Sequence, residues 1–180
     1  NPNLVSCFYS ASSMWAANSA TITSSTDSID GKVHITPSNL SSNLHRSIEV
    51  STTKKYLKDL FPNSDLYFHH KELPSYFPDE GSANIIRLGG EKGLYLMVFG
   101  RSLSCRENHK YPARQLLEAS ETIIRKHQLR QDQVIIIQQN PDAINAGVFH
   151  NDVISMGIDN LLIVHEQAFV NQKKVLIKIQ

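Results

Sequence analysis

The run Val134-Ile135-Ile136-Ile137, four β-branched residues closed by Gln138 and Gln139, constrains the fold more than any other stretch. Such side chains have few χ1 choices and pack well on a pleated surface. A short apolar run with polar ends therefore reads as a buried strand. A helix precedes it over 112–127, with Leu116, Leu117, Ile123 and Ile124 as its apolar stripe, Glu118 and Glu121 facing water, and Pro112 near its first turn. The same alternation recurs upstream. Leu94–Phe99 reads as a strand ending at Gly100, and 32–36 as a short strand closed by Pro37-Ser38-Asn39. Residues 52–61 carry Tyr56, Leu57, Leu60 and Phe61 at helical spacing, and Pro62-Asn63 stops the helix. Residues 160–164 read as a strand expected to pair with 134–138, whereas 166–180 fit either a helix or a strand. Strands interleaved with helices predict an α/β domain.

Residues 10–30 are small and hydroxyl-rich and, in isolation, resemble a linker; Met14, Trp15 and Ile22 argue instead for an irregular segment packed on a core. The 180 residues suffice for one domain, and a closed domain of this size buries roughly 70% of its unfolded surface. A net charge of +1 gives no reason to expect nucleic acid or an anionic membrane as partner. Two cysteines, Cys7 and Cys105, do not make a disulfide scaffold. No signal peptide is expected, and no apolar run approaches the ~18 residues of a membrane span. A soluble, cytoplasmic protein with reduced thiols is expected.

The candidate chemistry follows the β-branched run. Asn140-Pro141-Asp142 is turn chemistry, and Gly147 offers a second bend. His150 and Asp152 then alternate with Phe149, Asn151 and Val153, so on an extended backbone they point to one side. A histidine beside a carboxylate at a strand end suits a general base, while a structural histidine in a hairpin is the alternative. Other features have plain readings. His69-His70 point apart on a strand and have no third ligand at zinc-like spacing. Gly89-Gly90 has neither a dinucleotide fingerprint nor a P-loop lysine around it.

Seven motifs occur in one order along nearly the whole chain: S-x-M-W-x-A-N-x-A-T-I from Ser12, D-G-K-V-H from Asp30, N-L-x-x-x-x-H-R-S from Asn39, D-E-G-x-A-N from Asp79, Y-P-A-R-Q from Tyr111, E-A-S-E from Glu118, and Q-Q-N-P-D-x-I-x-x-G-V-F-H-N-D-V-I from Gln138. Together they resemble the N-succinylarginine dihydrolase family, guanidine-cleaving enzymes of the pentein (amidinotransferase-like) superfamily. The resemblance implies a partial pentein, an α/β propeller of ββαβ-type modules, with two to three blades present. Residues 1–180 would be the central portion of a single catalytic domain, without the family's N-terminal substrate-binding loop. Its nucleophilic cysteine, in a glycine-rich segment downstream of F-H-N-D, has no counterpart either. Neither Cys7 nor Cys105 matches that position, so the piece alone is expected to be inactive.

The implied reaction converts N2-succinyl-L-arginine and water to N2-succinyl-L-ornithine, two ammonia and carbon dioxide. By resemblance His150 is the general acid–base, Glu80 the carboxylate of a Cys-His-Glu triad, and Asp152 a clamp on the guanidinium. Asn18 supplies a neutral hydrogen bond. The succinyl and α-carboxylate groups call for cations, which Arg114 and the pair His45-Arg46 offer; Arg114 at a helix start would add the helix dipole. For Arg114 the alternative is an i, i+4 surface pair with Glu118. No cofactor and no metal are implied, the partner is the small-molecule substrate, and a homodimer is expected by analogy. Two competing functions remain open: another guanidine-modifying pentein (deiminase or amidinotransferase), and a non-catalytic binding module on the same scaffold.

Overall fold

A computed structural model describes residues 16–104, 110–111 and 113–180. Cys7, Met14, Trp15, Cys105 and Pro112 lie outside the described residues. The described residues form a mixed α/β architecture, in three small sheets.

The first sheet has the order β1 (Ala20–Thr23), β2 (Val33–Pro37), β3 (Tyr67–His69). β1 runs antiparallel to β2, with Ile22 opposite Ile35, and β3 runs parallel to β2. The crossover between β2 and β3 holds α1 (Leu44–Ser47) and α2 (Val50–Leu60). The second sheet repeats this path: β4 (Ile85–Leu88) is antiparallel to β5 (Leu94–Phe99), and β6 (Val134–Gln138) returns parallel to β5 after α3 (Leu117–Lys126). A parallel return needs a crossover of a dozen or more residues, which the helices supply. After α4 (Pro141–Asn145) comes a hairpin, β7 (Ser155–Ile158) and β8 (Leu161–Val164), followed by α5 (Gln172–Ile179).

The second sheet is the centre of the molecule because both faces of β5 are covered. Period-two alternation sends Leu96 and Val98 to one side, against Ile86, Leu88, Ile135, Ile137 and Phe169. Tyr95 and Met97 face the other side, under Leu116, Ala119 and Ile123 of the α3 region. A third cluster, Ala20, Ile35 and Leu57, holds α2 on the first sheet. The buried Asp27 carboxylate ties the two sheets together, accepting from Arg87 Nε at 2.7 Å, Gly93 N–H at 2.7 Å and Tyr95 OH at 2.9 Å. Burial would raise that carboxyl; its donors, chiefly Arg87, hold it below the usual range.

Several expectations need correction. The run 134–137 is buried only at Ile135 and Ile137; Ile136 is exposed because β6 is an edge strand. β8 pairs with β7, not with 134–138. Asp159, at φ 47°, turns the chain tightly, and the hairpin folds over β4. The segment around Phe169 lies against the end of β6 instead, with Asn140 N–H donating to the Ala168 carbonyl at 2.8 Å and Val170 N–H to that of Gln138 at 3.0 Å. α3 begins at Leu117, not near Pro112, because Gln115 and Leu116 are engaged strand-fashion. The Gln115 carbonyl accepts from Gly100 and Arg101, and Leu116 N–H donates to Pro78. Asn140-Pro141-Asp142 opens a short helix: the Asn140 side chain caps α4 by accepting from Asp142 N–H at 3.0 Å.

Candidate active site

Glu80 is delivered by the turn that follows the 73–79 loop. Gly81 makes that turn possible: its φ of +70° is costly for other residues, and a Cβ there would stand 2.4 Å from Ser38 Oγ and 3.1 Å from the Ala17 carbonyl. The Glu80 side chain is fully buried, and its Oε2 accepts from Arg46 Nη1 at 2.8 Å and pairs with His150 Nε2 at 2.9 Å. Burial pushes the Glu80 carboxyl up, but the His150 hydrogen bond and the Arg46 charge outweigh it and hold it below its ordinary value. Glu80 is therefore ionised at neutral pH. Its Oε1, like Nε and Nη2 of Arg46, has no hydrogen-bond partner among the described residues.

His150 arrives from the far end of the sheet through α4 and Gly147. Its neighbour Asn151 fastens the approach: Asn151 N–H donates to Asn84 Oδ1 at 3.1 Å, so the F-H-N-D and D-E-G-x-A-N segments are stitched at two adjacent points. Asn18 Nδ2 donates to the Glu80 carbonyl at 2.7 Å and lies 3.4 Å from His150 Nε2. Glu80 Oε2 can only accept, so its 2.9 Å contact puts the proton on His150 Nε2, and the 3.4 Å approach of the Asn18 amide, a donor facing a donor, is then no hydrogen bond. Nδ1 is then the nitrogen free to take a proton.

The same-side relation of His150 and Asp152 does not hold. The Asn151 N–H is taken by Asn84 and its carbonyl by Ile154, which turns 151–153 into a 3-10 turn. His150 is buried and Asp152 exposed. The Asp152 carboxyl still sits close enough to the protein for desolvation to push it up, with His150 pulling the other way.

A cleft of about 390 Å³ opens over His150, lined by Asn43, His45, Arg46, Arg114, Phe149 and Val153 among others. Arg114 lies on the extended segment before α3, so no helix start stands behind it. Its guanidinium lies over the Phe149 ring, 4.6 Å from the centroid, and no pair with Glu118 forms among the described residues. Glu118 accepts instead from Ser102 Oγ and Leu103 N–H. Arg46 is committed through Nη1 to Glu80, so its first effect is on the carboxylate rather than on a distant anion. The described structure thus brings Asn18, His45, Arg46, Glu80, Arg114 and His150 together and leaves Asp152 on the open side of the turn.

Other residues near this site went unnoticed in the sequence. Half-buried Arg101 feels Glu80: burial pushes its guanidinium down, and the carboxylate opposes that. It sits in a polar stretch with no motif to mark it. Phe149 read only as a spacer before His150. His69 and His70 are structural: His69 Nε2 donates to the Phe61 carbonyl at 2.8 Å, and His70 stacks on His127 and His34. Among the described residues no group of three His, Cys, Asp or Glu is placed to hold a metal. No helix is long and apolar enough to cross a membrane among them either.

Comparison with known proteins supplies the family. The family model described as succinylarginine dihydrolase matches residues 1–180. An N-succinylarginine dihydrolase of Pseudoalteromonas translucida is 49% identical over 186 residues, covering 98% of this chain and 41% of its own length. Proteins of the same name from Aliivibrio fischeri and Shewanella loihica are each 50% identical, with 97% and 99% of this chain covered and 41% and 42% of their own lengths. The chain spans about two-fifths of the length of these curated relatives. With a match over its entire length, the chain belongs to the succinylarginine dihydrolase family.

Proposed function

We propose that the protein hydrolyses the guanidino group of N2-succinyl-L-arginine, using a sulfur nucleophile carried by a segment downstream of F-H-N-D. One observation carries this most: a buried, ionised carboxylate, Glu80, held at once by Arg46 and His150, which line a cleft together with Arg114. Guanidinium carbon is a poor electrophile because its charge is spread over three nitrogens. Attack needs a thiolate, a proton carrier and a fixed carboxylate. Glu80 holds the His150 ring with Nε2 protonated, so Nδ1 takes the thiol proton and passes it to the departing ammonia. Water then cleaves the carbon–sulfur bond. A second attack on the resulting ureido carbon expels the second ammonia, and water releases the carbon as carbon dioxide, leaving the δ-nitrogen on succinylornithine. Asn18 adds a neutral hydrogen bond, and Arg114 and His45 draw the substrate's carboxylates toward the cleft mouth. Asp152, whose carboxyl feels the His150 ring, clamps the guanidinium.

The wider reading is a pentein propeller of which these residues form the central part, cytoplasmic and dimeric by analogy with the family. Two features support the modular part. Both three-stranded sheets follow one path, an antiparallel pair then a helical crossover to a parallel strand. The third sheet begins it again with a hairpin and a helix. Incubation of the full-length protein with N-succinylarginine tests the function. Two ammonia per succinylornithine are expected. One ammonia with a succinylcitrulline product would indicate a deiminase, and binding without turnover a non-catalytic module.

A further inference from the structure

Three side-chain amides hold the backbone of Asp79 and Glu80 from three parts of the chain. Asp79 N–H donates to Asn39 Oδ1 at 3.1 Å, Glu80 N–H donates to Gln115 Oε1 at 2.8 Å, and the Glu80 carbonyl accepts from Asn18 Nδ2 at 2.7 Å. The Asp79 carbonyl accepts from Leu40 N–H at 3.1 Å. Every backbone polar group of the pair is thereby satisfied, although neither residue lies in a helix or strand.

Of the three amides, Gln115 is the one that bonds to both Glu80 and Asp79. It is 5% exposed, and its Nε2 donates to Asp79 Oδ1 at 3.2 Å and to Ser120 Oγ at 3.1 Å. Glu80 N–H can only donate, so the amide has a single acceptable orientation. Its own carbonyl is gripped by Gly100 and Arg101 N–H groups at 3.0 and 3.2 Å, at the end of β5. Arg114 is the preceding residue.

We infer that Gln115 is a positioning residue for the reaction: through the Glu80 backbone it sets where the carboxylate stands between Arg46 and His150, and through the chain it sets how far that pair lies from Arg114. The inference rests on the proposed roles of Glu80 and His150. The Glu80 carboxylate reaches both partners through one oxygen, at 2.8 and 2.9 Å, so it has little room to shift without losing one of them. Replacing Gln115 by an apolar residue leaves a buried N–H unpaired, which backbone rotation at Glu80 relieves. A displacement of about 1 Å at a reacting group costs about a hundredfold in rate.

The test uses the full-length protein with Gln115→Leu and Gln115→Glu. Gln115→Leu is expected to lower kcat for N-succinylarginine about a hundredfold while KM moves less than about threefold. Gln115→Glu keeps an acceptor for Glu80 N–H and, when protonated, a donor for Asp79, so it is expected to recover kcat with an acid-shifted pH profile. A folded Gln115→Leu protein with wild-type kcat and pH profile would overturn the inference, as would a loss that only tracks the unfolded fraction. The downfield proton resonance of a His150 Nε2–H bonded to carboxylate reads the geometry without turnover. It is expected to move or vanish in Gln115→Leu. If wild type shows that resonance but releases no ammonia, the substrate reading fails while the positioning role is still decided by the variant's spectrum; an unmoved resonance overturns it.

Discussion

At the scale of residues, the site is a contest between burial and pairing. Taking the Arg46 and Glu80 charges out of water is expensive, and their mutual contact, the His150 hydrogen bond and the Arg114 charge offset it. Removing Glu80 would strand a buried guanidinium at a cost of about 3–5 kcal/mol, so Glu80→Ala confuses folding with chemistry. Arg114 is a cleaner probe because it stacks on Phe149 at the cleft rather than bracing the core. Arg114→Ala is expected to raise KM for N-succinylarginine more than for arginine; equal effects on both would remove its anion-binding role. Asp79 makes a second prediction. Burial and neighbouring Glu80 push its carboxyl up to about 6 against opposing hydrogen bonds. Its folded value exceeds the unfolded 3.8, so the folded state binds more protons between the two. The Asp79 contribution to stability is therefore full below the lower value and lost as pH rises through the upper one. Asp79→Asn keeps the acceptor for Gln115 and is expected to raise Tm at about pH 8 but not below about pH 4; an equal gain at both would contradict this. His70 works oppositely. Burial, then His34, push it down to about 4, so its contribution is present above 6.5 and lost as pH falls through the folded value.

At the scale of elements, the long and continuous features were legible and the short ones were not. β5 matched residue for residue, because an apolar run buried on both faces needs no subtler signal. β1, β3, β4 and β7 have three or four residues each, too few for alternation to stand above chance. Tyr111-Pro-Ala-Arg misled because a proline before an apolar stripe resembles a helix start; the backbone of Gln115 and Leu116 was already committed to Gly100, Arg101 and Pro78. The His150–Asp152 alternation failed for the same kind of reason, a long-range hydrogen bond from Asn84. Element stability should follow burial. Leu96, with no exposed surface between β4 and β6, is expected to cost about 2–5 kcal/mol as Leu96→Ala in denaturant unfolding. Ile136→Ala, on the open face of edge strand β6, is expected to cost much less. Equal costs would mean that the second sheet is not the core.

At the scale of the whole molecule, residues far apart in sequence converge: Asn18, Arg46, Glu80, Arg114 and His150 each come from a different segment. Spacing alone offered no way to see this. What pointed to Glu80 was motif resemblance, and only the fold shows why Asp79, Gln115 and Asn39 surround it. The 180 residues by themselves are expected to release no ammonia from N-succinylarginine, because the resemblance places the nucleophile downstream; turnover by that polypeptide would move the nucleophile inside it. The central claim is that His150, held by Glu80, carries the proton during guanidine cleavage. The most direct measurement is the rate of ammonia release from N-succinylarginine by the full-length His150→Ala protein, with its fold verified. A fall of about 10²–10⁴ is predicted, as for a general acid–base group, and a fall of less than about tenfold would contradict the claim.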